Sequence, residues 1–183
     1  MMNDDIKKVL FSEEDLEKKI KEIGKKITND YQGKEPLIVG LLKGVIPFIG
    51  DLMKRIDLYC EIDYLRVSSY EGTASTGKLQ TSGYVPDVKG KDVILVDDIL
   101  DTGNTLNKIR NLFLNAGAKS VKICVLLDKP EGRILDIKAD YVCYDVPKEF
   151  VVGYGLDYNQ KYRNLPYIGV LKEEVYKRWF YAR

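Results

Sequence analysis

The chain has 183 residues, 45% hydrophobic and 31% charged, the balance of one folded domain rather than a disordered or fibrous chain. Lys and Arg total 29 against 28 Asp and Glu, and a net charge of +1 excludes nucleic-acid binding by bulk positive charge. There is no histidine, which excludes Ser-His-Asp and Cys-His catalysis, His-ligated zinc and an imidazole proton shuttle, leaving acid–base work to carboxylates, Lys, Tyr or Cys.

Residues 1–8 are polar and hold no apolar stretch of signal-peptide length. Ser12 is placed as a helix N-cap, with Asp15 at the capping-box position and Phe11 able to staple onto Leu16. Leu16, Ile20, Ile23 and Ile27 then recur at helical spacing, one apolar stripe on a Lys/Glu-rich helix whose charged face is solvated. From Leu37 short apolar runs alternate with helical segments. Leu37–Leu42 reads as a buried strand, residues 46–56 as a helix with Pro47 in its tolerant first turn, and residues 60–67 as a strand. The longest largely apolar stretch, residues 36–51, is broken by Lys43, glycines and a proline and is too short to span a bilayer. Residues 93–96 form a second buried strand, residues 105–116 a helix stopped by Gly117, and residues 121–127 and 141–144 further strands. Near-continuous apolar strands alternating with helices predict an α/β fold with a parallel sheet covered on both faces. Cys60, Cys124 and Cys143 are widely spaced, form no CxxC pair and sit in strand-like segments, which predicts buried thiols in a reducing cytosol. The segment 68–90, rich in Gly, Ser and Thr, is either a functional loop or a surface hairpin.

The chemistry concentrates in Val93-Ile-Leu-Val-Asp-Asp-Ile-Leu-Asp-Thr-Gly-Asn-Thr105. In an open parallel sheet ligands bind beyond the carboxyl ends of the strands. A Thr/Gly-rich turn opening a helix offers backbone N–H groups, hydroxyls and the positive helix end, which suit a phosphate monoester. Adjacent Asp97 and Asp98 would repel a phosphate, so they read as acceptors for sugar hydroxyls with Mg²⁺ nearby to offset the charge. The competing reading is an Asp-rich turn in which Asp101 or Thr102 only caps the helix.

This stretch resembles the phosphoribosyl-diphosphate motif of type I phosphoribosyltransferases: an apolar strand, two acidic residues, two apolar residues, then Asp-Thr-Gly-x-Thr. Three further segments resemble the hypoxanthine-guanine phosphoribosyltransferase family. Leu41-Leu-Lys-Gly44 is similar to its pyrophosphate-binding loop, and Ser69-Tyr70 with the Gly/Thr/Ser run after it to its flexible active-site loop. Asp128-Lys-Pro130 and Phe150-Val-Val-Gly-Tyr-Gly-Leu-Asp-Tyr158 with Arg163 are similar to its purine-binding hood.

The resemblance implies a central twisted parallel sheet flanked by helices, with a small hood from the C-terminal and N-terminal segments. It implies a single domain over 1–183, with a core over about 35–145 and the hood over about 146–172. The implied reaction moves 5-phosphoribosyl from 5-phosphoribosyl 1-diphosphate to N9 of hypoxanthine or guanine, giving IMP or GMP and pyrophosphate, by an oxocarbenium-like transition state. Asp101 matches the general base at purine N7; the alternative for it is helix capping. Asp97 and Asp98 match the ribose site, and Thr102, Gly103, Asn104 and Thr105 the 5′-phosphate cradle. Lys43, Gly44 and Arg163 match the pyrophosphate contacts, Lys43 being otherwise a solvated loop lysine. Lys129 matches the donor to the 6-oxo group, an ammonium having donors only. Phe150 matches the ring that stacks on the purine, or else packs in the core; Val151 and Asp157 complete the purine site. Asp157 also matches a Mg²⁺ contact, direct or through water, with Asp97 and Asp98 acting indirectly. Ser69 and Tyr70 lie in the loop that closes over the reacting centre. The implied partners are the purine base and its phosphoribosyl donor, with no nucleic acid and no membrane, in a cytoplasmic homo-dimer or homo-tetramer. Two other readings are a phosphoribosyltransferase-fold regulator, against which the chain carries no basic helix or extra domain, and a different base, against which Lys129 and Phe150 speak.

Overall fold

A computed structural model describes residues 1–68, 80–81 and 84–177. After a short 3-10 turn, β1 (Ile6–Phe11) leads into α1 (Glu13–Asp30). The predicted capping box is present: Asp15 N–H donates to Ser12 Oγ at 3.2 Å, and Ser12 N–H donates to the Asp15 carboxylate at 3.0 Å. These bonds satisfy donors that the helix leaves without intrahelical partners. Ser12→Ala is therefore expected to lower stability by about 1 kcal/mol, read as a lower urea midpoint at constant m-value. An unchanged midpoint would mean that water replaces the cap at no cost.

The stripe Leu16, Ile20, Ile23 and Ile27 is buried, and α1 lies against α2 (Ile46–Met53) and the far sheet edge. The main sheet is ordered β4-β3-β2-β5-β6-β7, from β2 (Leu37–Leu42), β3 (Glu61–Ser68), β4 (Gln80–Thr81), β5 (Asp92–Leu100), β6 (Ser120–Asp128) and β7 (Tyr141–Asp145). All adjacent pairs are parallel except the short antiparallel edge β3–β4. Strand residues alternate between two cores. Ile38, Ile94, Val96 and Cys124 face α1 and α2, while Val39, Leu95, Ile123 and Val125 face Leu106, Ile109 and Phe113 of α3 (Asn104–Asn115). Burial on both faces explains why these strands read as continuous apolar runs.

Three local expectations change. Helix α2 ends at Met53 rather than running to residue 56, because Arg55 N–H and Ile56 N–H turn back to Leu52 O and Met53 O, three residues earlier, and tighten the last turn. Strand β5 does not stop at Val96; β6 continues beside it and pairs Asp97 with Val125 and Leu100 with Asp128. Cys60 is not a buried strand thiol: β3 starts at Glu61, which pairs with Leu37, so Cys60 sits half-buried just outside the ladder. Cys124 and Cys143 are buried as expected, and burial pushes the Cys143 thiol up to about 12.

A second, three-stranded antiparallel sheet is ordered β1-β9-β8, with β8 (Val151–Val152) and β9 (Ile168–Leu171). It joins the N-terminal segment to the segment after β7, as the hood expectation required, and Tyr162 Oη donates to Asp5 at 2.7 Å across it. A five-residue helix, α4 (Glu173–Lys177), follows β9. Among the described residues no helix is long and apolar enough to cross a membrane.

Candidate active site

The parallel order brings the C-terminal ends of β2, β5 and β6 side by side, and most of the expected site residues lie on or just after them. At the end of β2 the Leu42–Lys43 peptide is cis. Gly44 follows with its Cα under the Asp98 carboxyl: a Cβ there would stand 1.6 Å from Asp98 Oδ2. Glycine is what lets strand end and carboxyl approach this closely.

Lys43, Asp97, Asp98, Thr105, Asp157 and Arg163 line one cavity of about 200 Å³ together with Gly44. Asp98 N–H donates to Asp97 Oδ1 at 3.0 Å. Burial, then repulsion from Asp98, holds the Asp97 carboxyl well above its ordinary range; burial also raises Asp98, against the opposing pull of hydrogen bonds and the Arg163 guanidinium. Two neighbouring carboxyl groups offer oxygen acceptors to hydroxyl partners.

The cations are held from the hood side. Arg163 Nη1 donates to Gly155 O at 2.6 Å, and Nη2 meets Asp157 Oδ1 at 2.7 Å. Gln160, which the sequence reading passed over, lies between the two cationic head groups. Its Oε1 accepts from Lys43 Nζ at 3.3 Å and from Arg163 Nη2 at 3.5 Å, while its N–H donates to Asp157 Oδ2 at 2.8 Å. Nothing in the run Asp157-Tyr-Asn-Gln160 signals this, because it depends on left-handed backbone at Asn159 and Gln160 and on a partner far away in the chain. Arg163 Nε is buried and has no hydrogen-bond partner among the described residues, a donor left for a ligand.

The turn between β5 and α3 bears on the capping reading of Asp101. The N-cap is Gly103, at φ 86°, with no side-chain cap, so Asp101 does not cap the helix. Thr102 Oγ1 instead accepts from the N–H of Asn104, the first residue of α3, at 3.3 Å, so the capping expectation holds for Thr102. A Cβ on Gly103 would also stand 2.5 Å from Ile137 Cγ2, so the left-handed backbone and the close packing both require glycine.

Beyond β6, Lys129 is half-buried; its N–H donates to Leu100 O at 3.0 Å and its ammonium to Glu149 O at 3.3 Å. That ties Lys129 to the segment that enters β8, of which Phe150 is the last residue before the strand. Phe150 is not a core residue: it is 39% exposed, stacked at 5.3 Å on Tyr176 and edge-on to Tyr158 at 5.4 Å. Val151 starts β8 and is buried. A further basic residue outside the sequence expectations, Arg133, bonds the Asp101 carbonyl through Nε at 2.9 Å. Ser69 and Tyr70, with residues 71–79, 82 and 83 of the expected loop, lie outside the described residues. Among the described residues no cluster of three or more Asp, Glu, Cys or His could hold a metal by itself.

Comparisons with known proteins agree with this geometry. Residues 9–159 match the phosphoribosyl transferase domain family. The chain is 56% identical to the hypoxanthine-guanine phosphoribosyltransferase of Streptococcus agalactiae, over 97% of this chain and 100% of the relative. It is also 56% identical to that of Streptococcus thermophilus, with the same coverage. A crystal structure of a Staphylococcus aureus hypoxanthine phosphoribosyltransferase superposes with a TM-score of 0.91 at 51% identity, covering 96% of each chain. The strand-end carboxylates, the paired cations and the hood thus sit in a chain that belongs to the hypoxanthine-guanine phosphoribosyltransferase family.

Proposed function

We propose that the protein moves the 5-phosphoribosyl group of 5-phosphoribosyl 1-diphosphate to N9 of hypoxanthine or guanine in purine salvage, forming IMP or GMP and pyrophosphate. The observation that carries the reading is the meeting of two cations, Lys43 and Arg163, with the carboxyl groups of Asp97, Asp98 and Asp157 in one cavity at the strand ends. Lys43 and Arg163 neutralise the departing pyrophosphate, Arg163 supplying the buried Nε–H that has no protein partner. Asp97 and Asp98 accept the ribose hydroxyls. The turn 102–105 cradles the 5′-phosphate with backbone N–H groups and hydroxyls at the start of α3.

The base lies against Phe150, its 6-oxo group accepting from Lys129 and its edge meeting Val151 and Asp157. As N9 bonds to the anomeric carbon, the bond to pyrophosphate breaks and pyrophosphate leaves with the electron pair. Asp101 takes the proton from N7. Asp157 would hold Mg²⁺ directly or through water, with the oxygens of Asp97 and Asp98 lining the same cavity, a hard-oxygen donor set that suits this ion. When bound, Mg²⁺ neutralises charge on the diphosphate. The protein works in the cytoplasm as a homo-dimer or homo-tetramer, the latter checked by light scattering.

A direct test is release of pyrophosphate that requires hypoxanthine, phosphoribosyl diphosphate and Mg²⁺ together; release that persists without base would contradict transfer. The base assignment has its own test. An ammonium donates and cannot accept, so it selects an oxo group over the amino group of adenine. Lys129→Ala is expected to lower kcat/KM for hypoxanthine about tenfold, the weight of one charge-assisted hydrogen bond. An unchanged ratio of hypoxanthine to adenine use would remove Lys129 from that role.

A further inference from the structure

The β5–β6 ladder ends where Leu100 pairs with Asp128, so the next backbone carbonyls of the β5 side have no strand to bond. The segment after β6 takes them over in order. Leu100 O accepts from Lys129 N–H at 3.0 Å, and Thr102 O accepts from Ile134 N–H at 3.1 Å and Leu135 N–H at 3.3 Å. The carbonyl between them, that of Asp101, is bonded by a side chain. Arg133 Nε donates to it at 2.9 Å, and Arg133 Nη2 reaches Leu100 O at 3.4 Å. The same guanidinium bonds the Asp128 carboxylate and the Ile137 carbonyl, and the Arg133–Asp128 pair is only 15% and 16% exposed. One planar group thus ties together the end of β5, the end of β6 and the strand-free segment at Ile137. The turn glycine packs on its stem, since a Cβ at Gly103 would stand 3.3 Å from Arg133 Cδ.

We propose that Arg133 is a positioning residue for Asp101: its guanidinium fixes the backbone that aims the Asp101 carboxylate, and fixes the spacing between that carboxylate and Lys129. The proposal rests on the reading of Asp101 as the proton acceptor. A guanidinium holds five donors in a rigid fork, whereas an ammonium presents its donors from one point and cannot span these four partners. Lys at 133 therefore keeps the charge and loses the brace. A role confined to satisfying buried carbonyls would lower stability and leave catalysis uncoupled from Asp101.

The experiment compares kcat, KM for both substrates and melting temperature for wild type, Arg133→Lys, Asp101→Asn and the double variant. Arg133→Lys is expected to lower kcat about tenfold with KM for either substrate within about threefold, as a misaimed catalytic group does. In the Asp101→Asn background, where no carboxylate is left to aim, the same substitution is expected to change kcat less than about twofold. Arg133→Lys at wild-type kcat, or an undiminished loss in the Asp101→Asn background, overturns the proposal while leaving Asp101 as the base. Asp101→Asn at wild-type kcat overturns the base assignment and the proposal with it. Should Arg133→Lys fail to fold, Asp128→Asn loosens one arm of the fork and carries the same test, with an expected fall in kcat of about threefold that vanishes without the Asp101 carboxylate.

Discussion

Asp101→Asn is expected to lower kcat by about a hundredfold or more, the lower end of what a positioned acid–base group contributes, while leaving the fold intact. Asparagine is isosteric with aspartate and keeps an acceptor oxygen, but cannot take up a proton. With no histidine in the chain, no imidazole can stand in. The structure removes the main competing explanation for a loss, because Gly103 rather than Asp101 is the N-cap of α3. Steady-state kinetics with hypoxanthine, paired with a denaturation curve, separate the two effects. A kcat within about threefold of wild type would return Asp101 to a structural role, below any general-base contribution.

The second large effect is on stability. Gly153 follows β8 at φ +101°, a conformation that side-chain-bearing residues rarely adopt, and a Cβ there would stand 2.0 Å from the backbone carbonyl oxygen of Tyr167. No rotamer can relieve that contact, since the colliding atom belongs to the chain entering β9. Gly153→Ala is expected to cost about 3 kcal/mol or more, combining left-handed strain with displacement of the β8–β9 pair. In a domain of this size that is a fall in melting temperature of roughly 6–12 °C. Gly33 supplies the control: its φ is +73° but nothing lies within 4 Å of its virtual Cβ. Gly33→Ala then carries the strain alone, about 1 kcal/mol. Equal losses at the two positions would contradict the role assigned to the Tyr167 contact.

The elements that local chemistry specifies were legible in the sequence. Ser12 and Asp15 form their capping box because the reciprocal bonds lie within one helical turn. The apolar centres of β2, β5 and β6 read correctly because burial on both faces leaves long apolar runs there. The Asp-Thr-Gly turn was legible as a strand-to-helix turn, and its glycine takes the left-handed conformation that glycine permits. Contacts made between distant segments were not. Gln160 meets Lys43 across 117 positions of sequence, and no periodicity or motif encodes that approach. Arg133 looked like any basic residue after a strand, and its value lies in four partners set by where β5 and β6 stop together. The extension of β5 through Asp97 and Asp98 was hidden because two charged residues argue locally against a strand, whereas β6 beside them supplies the ladder. Cys60 was misplaced for the related reason that a one-residue shift in where a strand begins is set by its neighbour, here Leu37 opposite Glu61.

The most direct test of the central claim is the identity of the nucleotide formed. Purified protein with Mg²⁺ and phosphoribosyl diphosphate is offered hypoxanthine, guanine and adenine separately, and the products are resolved by chromatography and ultraviolet spectrum. IMP is expected from hypoxanthine, GMP from guanine or both, with one pyrophosphate per nucleotide and no AMP. AMP as the main product, or no nucleotide from either 6-oxopurine, would contradict it.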